Sequence, residues 1–207
     1  MNWNWLGIIL WIGAIAFIVF VVHYIRVHQL MLVARDKKTF EGSLFTRYVA
    51  MVIVALLWIG GMAYLTFLRP VDFTNHQQVR IHTVYHQLNV GEAQKGYYYV
   101  VAKRAQNGKR PVTSYTYWTN HTKNIVNGRY SSVASGSRIM TIDASGLPWN
   151  KAELKRKDSQ YEHAFAAQMK FTYTNSFING LGVRCGHSAG SYTLLRVPAH
   201  NMVYDHQ

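Results

Sequence analysis

Two long apolar runs open the chain, and a polar, finely patterned stretch completes it. Trp5 to Val22 holds no charged and no strongly polar residue, and Tyr48 to Leu68 has Thr66 as its only hydroxyl besides its tyrosines. At about 1.5 Å per residue these runs predict helices of about 27 and 31 Å, against a bilayer hydrocarbon core of about 30 Å. Both are expected to span a membrane, as helices over about 5–22 and 48–68 joined by a loop over 23–47. A signal peptide would bring a basic start and a small-x-small cleavage site. Met1 to Asn4 has no Lys or Arg, and the run exits into His23-Tyr24-Ile25-Arg26, so an uncleaved helix is expected. Tyr24 to Ala34 has no helix breaker, which leaves open a helix continuing past the membrane face or a plain charged turn.

Beyond Pro70 the period shortens to two. Val79, Ile81 and Thr83 alternate with Arg80 and His82; Tyr97 to Lys103 is aromatic and β-branched; Val112 to Thr119 alternates hydroxyls with Tyr and Trp. These segments predict strands, and Gln106-Asn107-Gly108-Lys109 predicts a hairpin turn, since Asn-Gly adopts the positive φ angles of a type I′ turn. Asn127-Gly128 predicts a second turn and Arg138 to Asp143 a short strand. Asn150 with Glu153 three residues on is an N-cap pattern, and Leu154, Tyr161, Phe165 and Met169 recur at helical spacing, so one amphipathic helix is expected over 151–170. Phe171 to Phe177 alternates again, Asn179-Gly180 signals a turn, and Leu181 to Cys185 and Tyr192 to Val197 read as closing strands. The expected architecture is a transmembrane helical hairpin over 1–70 and an extracytoplasmic α+β domain over 71–207, mostly antiparallel β with one amphipathic helix.

Charge adds an orientation. The N-terminal tail has no Lys or Arg, the loop between the apolar runs has five (Arg26, Arg35, Lys37, Lys38, Arg47), and the 20 residues after Leu68 have two. Basic flanks stay cytoplasmic, so the loop is expected inside, with the N-terminus and the C-terminal domain outside. From Val71 onward 16 Lys and Arg stand against seven Asp and Glu, a difference of +9. Outside a cell such a domain meets anionic polymers and lipid head groups rather than nucleic acid; the alternative is a merely solubilising surface. Cys185 is the only cysteine, which excludes an intramolecular disulfide and suits a bacterial, Gram-positive surface protein better than an animal one.

Candidate chemistry is thin. Gly186-His187-Ser188-Ala189-Gly190 has the spacing of a hydrolase nucleophile elbow, but such an elbow needs a strand before it, a helix after it and an acid and a His downstream. Ser191 to Val197 reads as a strand instead, so a glycine-rich loop is the plainer expectation. His82 and His86 would share one face of a helix as metal ligands. Their β-branched neighbours favour a strand, where they lie about 13 Å apart, so no metal is expected. Glu153, Asp158 and Glu162 read as surface charges of the amphipathic helix, and no pair of carboxylates stands out for glycoside hydrolysis. Aromatic residues beside cations (Tyr97, Tyr99, Lys103, Arg104, Lys109, Arg110, Tyr117, Trp118) form the candidate binding set for sugar or polyanion, against the alternative that the aromatics are core and cross-strand pairs.

The order of parts, together with Pro148-Trp149-Asn150, Gln160-Tyr161-Glu162-His163-Ala164-Phe165, Asn179-Gly180-Leu181-Gly182 and Arg196-Val197-Pro198, resembles an uncharacterised family of small membrane proteins from lactobacilli, named after a Lactobacillus brevis locus. The resemblance implies a source and a two-helix topology and brings no activity with it. The function expected is a non-enzymatic, membrane-anchored cell-envelope domain that binds an anionic wall polymer or another membrane protein, without cofactor. An accessory subunit of a membrane complex and an envelope hydrolase are the alternatives.

Overall fold

A computed structural model describes residues 2–37, 40–93, 96–107, 110–120 and 122–206. It falls into two compact units: Met1–Val71 with Tyr173–His187, and Asp72–Thr172 with Ser188–Gln207.

The first unit is built on two antiparallel helices, α1 (Asn4–Asp36) and α2 (Gly42–Ala63), the latter prolonged by a π-helical turn over Tyr64–Leu68. The open question about Tyr24 to Ala34 is settled in favour of helix, since α1 runs on to Asp36. Tyr48, Ala55 and Met62 of α2 are buried at intervals of seven, and Ala14, Val21 and Leu32 of α1 at intervals of seven and eleven, both close to whole numbers of helical turns. That spacing keeps one stripe facing the partner helix. Phe17 meets Trp58 at 6.0 Å, Tyr24 meets Tyr48 edge-on at 6.2 Å, and the Trp11 indole donates to Thr66 Oγ1 at 3.3 Å. Elsewhere the pair turns Ile9, Ile12, Val19, Leu56 and Leu57 outward, so its surface is as apolar as its seam. Both helices are long and apolar enough to cross a membrane. The π-turn closes with the Arg69 N–H donating to the Tyr64 carbonyl at 2.8 Å, ahead of the helix-breaking Pro70.

The segment Tyr173–His187 belongs with these helices. It contains a short helix, α5 (Phe177–Leu181), where the sequence pattern predicts a turn and then a strand. Asn4 and Cys185 exchange two hydrogen bonds of 2.9 Å, the Trp3 N–H donates to Asn175 Oδ1 at 2.9 Å, and the rings of Trp3 and Phe177 meet edge-on at 5.6 Å. Arg184, buried, donates from Nε to the Thr66 carbonyl at 2.8 Å and from Nη1 to the Arg69 carbonyl at 3.0 Å. These carbonyls at the end of α2 lack an intrahelical partner, and a cation there also opposes the negative end of the helix dipole.

The second unit stacks a helix on two four-stranded sheets. One sheet has the order β1-β8-β9-β7, from Val79–Gln87, Phe165–Tyr173, Ser188–Val197 and Ser131–Ser135; the other has the order β10-β4-β5-β6, from Val203–His206, Val100–Asn107, Arg110–Thr119 and Thr122–Asn127. A ribbon of β2 (Gly91–Ala93) and β3 (Gly96–Tyr98) stands apart. Both sheets are mixed, since β7 runs parallel to β9 and β10 parallel to β4, but β2-β3, β4-β5, β5-β6 and β8-β9 pair antiparallel, as a mostly antiparallel domain is expected to. Asn107 pairs with Arg110 in the expected hairpin, whose turn residues Gly108 and Lys109 lie outside the described residues. The core sits where the sheets face each other, around Leu88, Val100, Tyr117, Ala166, Leu195 and Val197.

Two further expectations are corrected. Arg138 to Asp143 is no strand: Thr141 Oγ1 accepts from the Ala144 N–H at 3.3 Å and caps a helical turn, α3 (Ile142–Ser145). The amphipathic helix α4 (Lys151–Gln160), capped by Asn150 as its pattern predicts, stops ten residues early. Glu162 and His163 turn left-handed, with φ of 49° and 65°, and the chain continues as β8. Phe165 and Met169 lie on one face of that strand, and Ala166 on the other is buried as well, so a central strand covers both sides as one helix would not.

Candidate functional site

The described candidate binding residues lie on both faces of their sheet and on the β2-β3 ribbon. Register places Val100 opposite Tyr117 and Ala102 opposite Tyr115, so both tyrosines point into the core. Tyr117 is 6% exposed, and burial pushes its phenol up from its ordinary value. Tyr99 packs half-buried on the same core. Lys103, opposite Ser114, shares the other face with Trp118, whose ring lies against Gly91. Tyr97 and Arg104 are exposed, on β3 and in the middle of β4. Lys109 and the side chain of Arg110 lie outside the described residues. The aromatics of the set are therefore divided between core and surface, which the residue pattern without register does not reveal.

The sharpest charge arrangement is one the pattern missed. Asp158, read as a surface charge of the helix, is buried on the inner face of α4 beside Leu154. Its carboxylate accepts from Arg196 Nε at 2.9 Å and lies 2.8 Å from His163 Nδ1. Arg196 is 2% exposed and spends its other donors on the Val197 and Gly136 carbonyls, each at 2.6 Å. Opposite charges enclosed in this way satisfy one another. Arg184 is likewise consumed by carbonyls in the first unit. Both inward arginines are structural, so the basic excess of the chain beyond Val71 is carried by other side chains.

The outer face of α4 carries part of it. Leu154 and Asp158 turn inward, while Lys151, in the first turn, and Lys155 and Arg156 are all exposed. Arg156 reaches Glu153 at 3.6 Å in an exposed pair of little energetic weight. Lys157, half-buried, holds its ammonium 6.0 Å from the Tyr85 ring centre and 5.3 Å from that of Tyr161 and donates to Gln160 Oε1 at 2.8 Å. Burial pushes the Tyr85 phenol up to about 12, with Glu153 adding to the rise and Arg156 opposing it. The neutral phenol is thus the form the fold prefers, and the stability it contributes is complete below pH 10 and lost as pH climbs from 10 towards 12. An alkaline titration followed by tyrosinate absorbance is expected to show a late-ionising tyrosine that Tyr85→Phe removes, together with a weaker alkaline loss of stability.

Ser188, in the Gly186–Gly190 motif, begins β9, which pairs with β8; no helix follows it, so the exposed elbow of a hydrolase is not formed. His82 and His86 both lie on β1, as their neighbours predict. Among the described residues no three His, Cys, Asp or Glu side chains come together in a metal-binding group.

A family model matches residues 2–204, nearly the whole chain; it describes an uncharacterised family named after a locus. Comparison with curated proteins and with solved structures finds no match.

Proposed function

The chain thus belongs to that uncharacterised family, and on this footing we propose that it is a membrane-anchored, non-enzymatic domain that binds an anionic envelope polymer. The observation that carries the reading is the separation of roles between the units. One presents an apolar surface all round a helix pair, as a lipid-embedded pair does, while the other directs Lys151, Lys155 and Arg156 outward from α4. In this reading the segment 23–47 that joins the apolar runs is cytoplasmic, because its five basic residues outnumber those of either flank, and the sheets work outside the cell. A helix face with three cations follows a polyphosphate chain by charge alone, without a shaped pocket.

The test uses the full chain in nanodiscs of zwitterionic lipid and measures retention on immobilised wall teichoic acid. Retention is expected to fall steeply with salt, because exposed pairs are screened. Replacing Lys151, Lys155 and Arg156 together by Gln is expected to weaken it about a hundredfold, at roughly 1 kcal/mol for each basic residue at an anionic surface. Retention that ignores both salt and the triple variant defeats the polymer reading.

One observation favours the second reading, an accessory subunit. Gly60 and Gly61 of α2 have nothing within 4 Å of the position a Cβ would take, so a further helix can approach closely there. Mild-detergent pull-down that returns the chain alone, with Gly60→Leu behaving as wild type, removes that reading.

A further inference from the structure

The second unit contains an apolar pocket of about 370 Å³ walled by Phe73, Phe171, Leu147, Tyr130, Tyr192 and Gly190. Phe73 and Phe171 meet there at 4.4 Å with their rings tilted by 39°. Gly190 is required there: its φ of 154° suits only glycine, and a Cβ would stand 3.5 Å from the Phe73 ring. Trp149 backs Tyr192 edge-on at 6.5 Å, and Tyr130, 56% exposed, marks the mouth.

No charged side chain lines this pocket, so an ionic ligand finds no partner in it. A sugar ring would bring hydroxyls that lose water and meet little beyond the Ser191 and tyrosine hydroxyls. What the walls reward is hydrocarbon. The volume holds roughly a dozen groups of about 30 Å³ each, the share of a water in the liquid, which is a stretch of chain rather than a whole lipid. Along the sequence Phe73 follows Leu68, the last residue of the apolar run, by five residues, a connector of at most about 18 Å.

We propose that this pocket takes the end of an acyl chain from a membrane lipid, with the head group left outside. The inference goes beyond polymer binding and rests only on the part of the proposed function that places the helix pair in a bilayer. Gly190 keeps the Phe73 wall in place, and Tyr130 at the mouth offers an amphipathic ring to the junction of chain and head group.

The full chain in phosphatidylcholine nanodiscs, doped with a phosphatidylcholine bearing a diazirine near the end of one acyl chain, is irradiated and its adducts are mapped by peptide mass spectrometry. Adducts are expected on the peptides of Phe73, Phe171 and Tyr192 as well as on α1 and α2. Ser191→Trp, which fills the pocket, is expected to cut the pocket adducts at least tenfold and leave those on α1 and α2 unchanged. Leu147→Trp, in the pocket wall after α3, provides the same test without touching a strand. Adducts confined to α1 and α2 overturn the pocket assignment and leave the anchor intact, as do pocket adducts that persist in both filled variants. A chain without adducts anywhere overturns the anchor and the pocket together.

Discussion

Asp158→Ala is expected to destabilise the second unit by about 3–5 kcal/mol, the usual cost of removing one partner from a buried ion pair. Total stabilities of about 5–15 kcal/mol leave little behind such a loss. The reason is the guanidinium that stays. Arg196 is 2% exposed, its Nη1 and Nη2 donate to the Val197 and Gly136 carbonyls, and Asp158 is the partner of its Nε. The charge is then buried without compensation. His163→Ala removes the other partner of the same carboxylate but should cost under about 1 kcal/mol, because its side chain is 54% exposed and water already competes for the contact. Replacing the pair together, Asp158→Leu with Arg196→Met, is expected to recover most of the loss, since an apolar pair of similar size carries no desolvation cost. Urea unfolding of the full chain in detergent, followed by tryptophan fluorescence, checks all three. If Asp158→Ala unfolds at the wild-type midpoint, the ion pair does not hold α4 to the sheet.

That ion pair also marks where sequence reading stops. Asp158 and Arg196 are 38 residues apart, and nothing local distinguishes Asp158 from the lysines and glutamate beside it. The apolar runs are legible because a lipid-length helix must be continuous, and the Asn150 cap is legible because its chemistry is local. β8 is not, because Tyr161, Phe165 and Met169 satisfy a helical period and, at odd positions, a strand as well. The break that decides between them is made by Glu162 and His163 in a conformation usually left to glycine, so the expected punctuation is missing. β7 is hidden for a different reason: Ser131-Ser132-Val133-Ala134-Ser135 has little strand preference and is held by its parallel pairing with β9. Register divides the aromatics of the binding set, since the step from Tyr117 to Trp118 is a step from core to outer face.

Gly180 was equally misleading as a turn signal, and its real constraint gives the second large effect. A Cβ on Gly180 would stand 2.6 Å from the Trp3 carbonyl oxygen and press on the Trp3 Cβ, and one on Gly7 would stand 2.6 Å from the Leu181 carbonyl oxygen. Backbone cannot rotate away as a side chain can, so Gly180→Val and Gly7→Val are each expected to lift the Tyr173–His187 segment from the start of α1. The hydrogen bonds between Asn4 and Cys185 are lost with it. Cys185 reports the event: it is the only cysteine, it is buried, and its thiol donates weakly to the Ser176 carbonyl at 3.5 Å. Overpacking costs about 1–3 kcal/mol, which raises the open population, and so the rate of maleimide labelling, by about five- to a hundredfold. Arg184→Met should act in the same direction by leaving the Thr66 and Arg69 carbonyls without their shared donor. Labelling as slow in both glycine variants as in wild type would mean that the segment is held by something other than this close approach. Run on intact cells with a membrane-impermeant maleimide, the same variants test orientation. Reaction from outside fits a cytoplasmic loop between α1 and α2, whereas protection until the cells are opened reverses the proposed topology while leaving the packing argument untouched.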